Sequence, residues 1–487
     1  MNQPGTSPRR GMPIPIPRAT PVCFAKLPMR LTILSLLLLS ALCNGAQRTN
    51  ILFIYLDDFG WKDTGYAGSD FYETPHLDKL ADGGMVFTDA YAGAANCAPS
   101  RACLLSGQYS PRHEIYNVGT GPRGKSEHRR LKHIPGTDTL SPEILTWAQS
   151  ARTAGYTTAT LGKWHLSKDP LPYGFDLNIG GGRSGSPPKG YFPPNNVAGL
   201  KNSPKDEYLT DRLTEETIGF IERNREKPWL VYLTHFAVHT PLQAKEEDRK
   251  YFAAKKPGKI HNHAIMGGMI KSVDDGVGRI IAKLEELKLR KNTVILFYSD
   301  NGGYGPATSM HPLKGYKGTY YEGGIRVPFF INWPGVVKPG TSCSTPITAV
   351  DLHPTIRAIC GGKAPARQIQ DGVNLLPLFR GEKIADRSIY WHFPAYLQSY
   401  RRTDEQPDPL FRARPCGVIR EGDWKLIEYF EDGRLELYNL AKDIGEKRNL
   451  AASQPDKAKE MHEKIRTWRK RTKAPVPTEK NPGFRKG

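Results

Sequence analysis

Four continuous apolar runs constrain the fold of this chain more than any other feature. They span Asn50 to Leu56, Trp229 to Leu233, Thr293 to Tyr298 and Val327 to Asn332. Such runs are typical of strands that are buried on both faces of a sheet. Segments with helical spacing separate them, above all the apolar stripe from Ile265 to Leu284. This alternation predicts an α/β fold with a large, mostly parallel central sheet and helices on both faces.

The pattern changes after about residue 370. Val418 to Ile427 and Leu435 to Tyr438 are predicted antiparallel strands, and Asp432-Gly433 supplies a hairpin turn between them. An amphipathic helix is expected to close the chain. We therefore predict a main domain over residues 47–370, which carries the candidate site, and a smaller α+β C-terminal subdomain over residues 371–487 with an antiparallel sheet and a basic tail.

A short apolar run near the N-terminus, Leu31 to Leu42, follows Arg30. The run is too short to cross a bilayer. A basic residue, an apolar stretch and small residues up to Ala46 are typical of a secretory signal peptide. We predict that residues 1–46 are this signal, with translation starting at Met29, and that the protein is secreted or periplasmic without a stable membrane span.

The charge of the chain limits its partners. It has 69 Lys and Arg against 49 Asp and Glu, a formal net charge of +20 at pH 7. Such a balance suits nucleic acid, a membrane surface or an anionic substrate. The sequence has no nucleic-acid-binding motif, and export argues against DNA, so acidic polymers remain.

Cysteines are few after the predicted signal, and their number is odd, so they do not form a disulfide framework. Whether Cys343 pairs with Cys360 stays open at this point. No N-glycosylation sequon with a permitted middle and following residue occurs, which favours a bacterial periplasm over a lysosome. Lipidation of Cys43 is the alternative to cleavage of the signal at Ala46.

Oxygen-bearing side chains directly follow two of the predicted strands. Asp57-Asp58 comes after the first strand, and Asp300-Asn301 follows the run that ends near Tyr298. Sites in open α/β sheets form at the carboxyl ends of strands, so these pairs would converge if their strands are neighbours. Four oxygen donors suit a hard cation, Ca²⁺ before Mg²⁺. The alternative is that both pairs are turn residues.

Cys97 is predicted to lie at or just before the start of a helix. Pro99 suits a first helical turn, and the apolar residues after it can continue the helix. Free N–H groups and the helix dipole favour an anion at this position and lower the pKa of a thiol. An isolated cysteine is by default a buried structural residue. The C-x-P-S-R spacing from Cys97 to Arg101 argues for a functional one.

That pentapeptide, CAPSR, resembles the signature of type I sulfatases in the alkaline phosphatase superfamily. Other blocks follow in the order that the family shows: GYTTATLGKWH up to His165, HTP at His239, and KGYKGTYYEGGIRVP from Lys314 to Pro328. The resemblance covers roughly residues 48 to 451. One departure is Ser167, where the family often has glycine.

The resemblance implies a nucleophile that the gene does not encode. Cys97 would be oxidised to formylglycine, an aldehyde, by a formylglycine-generating enzyme before or during export. Its hydrate would attack the sulfur of a sulfate ester, and sulfate would leave as the aldehyde re-forms. The implied ligands of one Ca²⁺ are Asp57, Asp58, Cys97, Asp300 and Asn301.

The resemblance also implies a role for each catalytic residue. Arg101 and Lys163 would stabilise the nucleophile made from Cys97. Lys317 and His239 would contact the sulfate oxygens and help the leaving alkoxide depart. His165 would take the proton from the second hydroxyl of the hydrate.

We expect the substrate to be an O-sulfated carbohydrate or sulfated polysaccharide. Arg183, in a Gly-rich loop from Gly180, is a candidate substrate contact, as are His311 and His392. One alternative is a phosphonate or phosphate ester hydrolase of the same superfamily. The other is a non-catalytic binder of sulfated glycans, which the complete set of site residues disfavours.

Overall fold

The computed structural model describes residues 48–200, 204–400 and 408–485. Arg48–Gly487 forms one compact unit. The predicted signal peptide, residues 1–46, and the start at Met29 lie outside the described residues. Within the described ranges, no helix has both the length and the apolar character that a bilayer span requires.

Within the described ranges the strands form four sheets. Eight strands build the central sheet in the order β5-β4-β6-β1-β7-β8-β2-β9, and four build the C-terminal sheet in the order β11-β14-β15-β16. In chain order the strands are β1 (Asn50–Leu56), β2 (Met85–Phe87), β3 (Ala90–Tyr91), β4 (Thr157–Gly162), β5 (Leu177–Ile179), β6 (Trp229–Thr234), β7 (Thr293–Ser299), β8 (Phe329–Asn332), β9 (Thr341–Cys343), β10 (Ile347–Thr348), β11 (Ser388–Phe393), β12 (Leu397–Gln398), β13 (Phe411–Ala413), β14 (Cys416–Glu421), β15 (Trp424–Tyr429) and β16 (Leu435–Asn439).

Helices connect and cover these strands. In chain order the α-helices are α1 (Pro75–Asp82), α2 (Cys97–Ser106), α3 (Ser110–His113), α4 (Trp147–Thr153), α5 (Leu209–Arg223), α6 (Glu246–Ala254), α7 (Ala264–Glu286), α8 (Glu322–Ile325), α9 (Leu352–Cys360), α10 (Leu376–Phe379) and α11 (Pro455–Thr472). Helices α2, α4 and α9 pack together on one face of the central sheet, where Phe53 and Tyr232 are buried. Helices α1, α5, α6 and α7 cover the other face, where Leu52 and Val231 are buried.

The prediction of a mostly parallel sheet between two helical layers is confirmed. Strands β5, β4, β6, β1 and β7 run parallel to one another. The sheet becomes mixed beyond β7, because β8 runs antiparallel to both β7 and β2. The four apolar runs form β1, β6, β7 and β8. The last strand begins at Phe329 and not at Val327, since Pro328 has no N–H to donate to a neighbouring strand.

The register of the central sheet brings the functional residues to one level. Strands β1 and β7 pair residue for residue, with Leu56 opposite Ser299. Asp57-Asp58 and Asp300-Asn301 therefore leave the sheet side by side, as expected for neighbouring strands.

Strand β4 joins this edge through a close backbone contact. Gly162 lies opposite Thr234 of β6. Gly162 has a φ of 110°, and a Cβ there would come within 1.9 Å of the Thr234 carbonyl oxygen. Glycine at this position lets the next residue, Lys163, donate its backbone N–H to the same carbonyl at 2.6 Å.

The C-terminal sheet is antiparallel, as predicted, and Gly433 with a φ of 71° forms the turn between β15 and β16. Helix α11 contacts β14 and β15, and Ile465 and Trp468 are buried in the core that it shares with the sheet. The boundary at residue 371 stays a prediction.

Among the described residues all cysteines are free, Cys343 and Cys360 included.

A buried ionic cluster joins strand β15 of the C-terminal sheet to helix α8. The Lys425 ammonium lies 2.9 Å from a carboxylate oxygen of both Glu322 and Glu446, and all three side chains are fully buried. Burial raises the pKa of Glu446 to about 7, although Lys425 opposes the shift. Tyr91 donates a hydrogen bond to Glu322 at 2.7 Å. The two carboxylates thus share the Lys425 cation, and Glu322 also pairs with Arg326, whose Nη1 lies 3.3 Å away.

We expect Lys425→Ala to lower the free energy of unfolding by about 3–5 kcal/mol, because it leaves buried Glu446 without its paired cation and leaves Glu322 with Arg326 alone. Urea unfolding followed by tryptophan fluorescence measures the loss. Lys442→Ala removes an exposed lysine in a nearby loop and should leave the midpoint unchanged. Equal midpoints for the two variants would contradict the assigned role of Lys425.

Candidate active site

The candidate site lies where β4, β6, β1 and β7 end, beside the start of α2. Helix α2 begins at Cys97, with Asn96 in the N-cap position, as the sequence predicts. Cys97 is 2% exposed. The site therefore combines the carboxyl ends of parallel strands with the N-terminus of a helix.

Several possible metal ligands meet at this point. Asp57, Asp58, Cys97 and His239 offer ligand atoms that all lie within 4.8 Å of one another. Asp300 accepts a hydrogen bond from the backbone N–H of Asp58 at 3.2 Å. The Asn301 amide nitrogen donates to Asp58 Oδ1 at 2.8 Å.

The donor set fits a hard cation. Among the described residues, Asp57 Oδ1 and Asn301 Oδ1 are buried without a hydrogen-bond partner. Burial and the neighbouring Asp57 carboxylate raise the pKa of Asp300 well above its ordinary value. A divalent cation would satisfy the free lone pairs and offset the repulsion between carboxylates, and oxygen donors are the ligands that Ca²⁺ and Mg²⁺ prefer.

Two lysines form ion pairs with Asp57 and Asp58. Lys163 Nζ lies 2.5 Å from Asp57 Oδ2, and Lys317 Nζ lies 2.6 Å from Asp58 Oδ1. Burial would lower the pKa of Lys317, but Asp58 and the Cys97 thiolate hold it well above its ordinary value.

The same charges act on the thiol. Burial alone would raise the pKa of Cys97, but Lys163, Lys317 and hydrogen bonds with His165 and His239 hold it well below its ordinary value. Asp58 and His165 have positive φ values of 61° and 67°. Such values are uncommon for residues other than glycine and cluster at functional sites, where the surrounding structure holds them.

The two site histidines differ in their surroundings. His239 Nδ1 lies 2.7 Å from the Thr240 carbonyl oxygen, which can only accept, so Nδ1 carries the proton. His239 Nε2 is thereby left facing Asp58 Oδ2 at 3.8 Å. Burial lowers the pKa of His165, so its ring is neutral at pH 7. A third histidine, His235, is fully buried, and burial lowers its pKa to about 3.

Arg101 lies beneath the site and joins three strand ends. Its Nε donates to Asp300 Oδ2 at 3.0 Å, and its Nη1 donates to Thr234 Oγ1 at 2.5 Å and to the Lys163 carbonyl at 3.0 Å. The guanidinium stacks 5.0 Å from the centre of the Tyr55 ring. These contacts indicate that Arg101 holds the three strand ends in position.

Comparison with known proteins identifies the family. The Sulfatase family model matches residues 49–362. This chain belongs to the sulfatase family. A second model, described as N-sulphoglucosamine sulphohydrolase, C-terminal, matches residues 316–471. The protein is therefore a sulfuric ester hydrolase.

Relatives of this sulfatase cover most of its length. A sulfatase of Formosa agariphila is 32% identical over 88% of this chain and 90% of its own. The N-acetylgalactosamine-6-sulfatase of Mus musculus is 31% identical over 73% and 72%. The crystal structure of Ps i-CgsB, also solved in complex with k-i-k-neocarrahexaose, is 32% identical, with a TM-score of 0.71 for the first form over 87% of this chain and 93% of that one.

The three expected substrate contacts differ in their position and exposure in the structure. Arg183 is exposed and lines a cavity of about 180 Å³ beside His165. His311 is exposed on a loop and lines neither this cavity nor the pocket around Cys97.

The structure corrects the expectation for His392. This residue on β11 is 2% exposed, and its Nε2 lies 2.8 Å from the Pro475 carbonyl oxygen. Burial lowers its pKa to about 4. The ring lies among aromatic side chains that include Phe430 and Trp468, because strand alternation and helix α11 enclose it. It is part of the C-terminal core.

Other residues reach the site that the sequence did not indicate. A pocket of about 310 Å³ contains Cys97, and it is also lined by Asn117, Arg123, Tyr400 and Arg412. These four lie outside the family blocks, and no spacing rule singles them out. Only the folded chain brings them to the sulfatase site.

Addition of CaCl₂ to metal-stripped sulfatase should raise its thermal midpoint by about 3 °C or more, because the ion binds only the folded ligand cluster. Asp58→Asn should lose most of this shift. Asp432→Asn, an exposed carboxylate in the C-terminal hairpin, should keep it. Differential scanning fluorimetry gives the midpoints, and an equal shift in both variants would place the ion elsewhere.

Proposed function

We propose that this sulfatase removes O-sulfate groups from a carbohydrate, with a formylglycine made from Cys97 and one Ca²⁺ as its working groups. The position of Cys97 carries the proposal. It starts a helix, is buried, and lies between two lysines and two histidines. The ion would be held by Asp57, Asp58, residue 97, Asp300 and Asn301.

A carbohydrate substrate is supported by the pocket and by the relatives. The residues around Cys97 are mostly polar, among them Asn96, Asn117, Arg123 and Ser186. Hydroxyl-rich sugars can use such donors and acceptors, whereas a sterol would leave them unpaired. The relatives named above include an N-acetylgalactosamine-6-sulfatase and a structure in complex with k-i-k-neocarrahexaose.

Attack on a sulfate ester is hindered by its negative oxygens, so fixed positive charge is the main catalytic requirement. When bound, Ca²⁺ would supply part of this charge and would acidify the oxygen that it contacts. The hydrated aldehyde would supply one hydroxyl for attack on sulfur and a second hydroxyl for release of sulfate.

Side chains of the protein would stabilise charge, transfer the proton and bind the sulfate. Lys163 and Lys317 present their ammonium groups to the reacting oxygens, and Arg101 holds the strand ends in place from below. His165 is neutral and can accept the proton of the second hydroxyl. His239 directs its Nε2 toward the ligand cluster, and a protonated Nε2 can donate a hydrogen bond to a sulfate oxygen or to the leaving oxygen.

The proposed function also includes export of the protein. A signal peptide over residues 1–46 would direct the protein to the periplasm or the medium. Conversion of Cys97 by a formylglycine-generating enzyme then has to precede folding, because the thiol is 2% exposed in the folded chain.

Cys97→Ala should abolish sulfate release, a loss of at least about 10³-fold in kcat, because no aldehyde can form. Cys343→Ala removes a partly exposed thiol remote from the strand ends and should retain full turnover. Peptide mass spectrometry across residue 97 should show the aldehyde or its hydrate in the active enzyme. An ordinary thiol in protein that releases sulfate would overturn the assignment of the nucleophile.

The enzyme should prefer 4-nitrophenyl sulfate to 4-nitrophenyl phosphate or phenylphosphonate by about 100-fold or more in kcat/KM. The reason is that the aldehyde hydrate can expel sulfate, whereas the phosphate enzymes of the superfamily mostly use a hydroxyl nucleophile. Initial rates at one pH and calcium concentration give the ratio. A ratio below one would favour the phosphonate or phosphate esterase.

A further inference from the structure

The active-site pocket contains a buried cation to which the proposed chemistry gives no role. Arg412 on β13 is 8% exposed, and its guanidinium lies 3.5 Å from the centre of the Tyr400 ring. Its Nε donates to the Gln398 carbonyl at 3.0 Å, and its Nη1 donates to the Lys317 carbonyl at 3.3 Å. No carboxylate among the described residues forms an ion pair with Arg412.

Burial of such a group costs free energy, because the guanidinium loses its hydration and no ion pair replaces it. Burial accordingly lowers the pKa of Arg412. The neighbouring Arg414 has carboxylate counter-ions, since it pairs with Asp408 at 2.5 Å and with Glu431 at 2.9 Å. Arg412 is instead fixed by backbone carbonyls and an aromatic face, so its charge remains available to a ligand.

The pocket around Arg412 has a second cation of this kind. Arg123 lines the same pocket, and its Nη2 donates to the Val118 carbonyl at 3.0 Å. It has no acidic partner in the part of the chain that the structure describes. Lys317, the third cation of the lining, is already paired with Asp58. Among the described residues that line this pocket, none is an aspartate or a glutamate.

We propose that Arg412 and Arg123 form a second anion subsite, which binds another sulfate or a carboxylate of the substrate beside the ester that is cleaved. The inference rests on the proposed function and narrows its substrate to saccharides with at least two anionic groups. Guanidinium groups suit this task, since their planar donors bind sulfate and carboxylate oxygens in pairs. A subsite of this kind raises affinity for the doubly charged sugar without entering the chemistry.

Disulfonates test the subsite without knowledge of the sugar. Hydrolysis of 4-methylumbelliferyl sulfate is inhibited with ethane-, propane- or butanedisulfonate, each compared with the monosulfonate of the same chain length. At least one disulfonate should inhibit the wild-type enzyme about tenfold more tightly than its monosulfonate, the effect of one charge-assisted contact. In Arg412→Gln this ratio should fall to about twofold, the statistical advantage of two sulfonates.

Two further variants keep the test decisive. Arg123→Gln alters a partly exposed loop residue and should also lower the ratio, whether or not Arg412→Gln folds well. Arg414→Gln removes the same charge two residues away, outside this pocket, and should keep the wild-type ratio. Equal inhibition by mono- and disulfonates in the wild type, or a ratio that survives in both Arg412→Gln and Arg123→Gln, would overturn the subsite.

Failure of the proposed function would look different. In that case the wild-type enzyme would release no product from the aryl sulfate or from any sulfated saccharide. Isothermal titration calorimetry with the same sulfonate pairs would then measure the affinity ratio directly on the full chain. A ratio near tenfold that depends on Arg412 would support the subsite even so, and a ratio near one would reject it.

Discussion

The ion pair between Arg101 and Asp300 is the contact on which the site depends. Both side chains are fully buried, and the guanidinium also holds the end of β6 at Thr234 and the backbone at Lys163. Helix α2 is thereby tied to β4, β6 and β7 at once. Because Arg101 lies one helical turn after Cys97, the same contact fixes where the cysteine stands above the ligand cluster.

Much of this arrangement could be predicted from the sequence, because it rests on local patterns and one rule of topology. Continuous apolar runs gave the strands, and polar residues after them marked the edge where sites form. The convergence of Asp57 with Asp300 depended on β1 and β7 being neighbours, which their register confirms. The place of Cys97 followed from Pro99 and the apolar helix after it.

Other features depend on packing between distant segments and left no local signal. His392 was expected at the substrate but lies in the core, since β11 is covered by helix α11 from the end of the chain. Arg412 and Tyr400 reach the pocket only because β12 and β13 pair as neighbours. Arginine and tyrosine in such segments are ordinary surface residues until the fold encloses them, so no motif could have separated them from the rest.

The charge balance of the site links these observations. Three carboxylates, Asp57, Asp58 and Asp300, face three cations, Arg101, Lys163 and Lys317, so the protein groups alone are close to neutral. A divalent cation on the same ligands would leave an excess of positive charge next to Cys97. That excess lies in a poorly solvated site, where electrostatic attraction is strong. The sulfate ester is an anion, so the ion would create the field that the substrate requires, and although burial raises the pKa of Asp57, Lys163 holds it below its ordinary value.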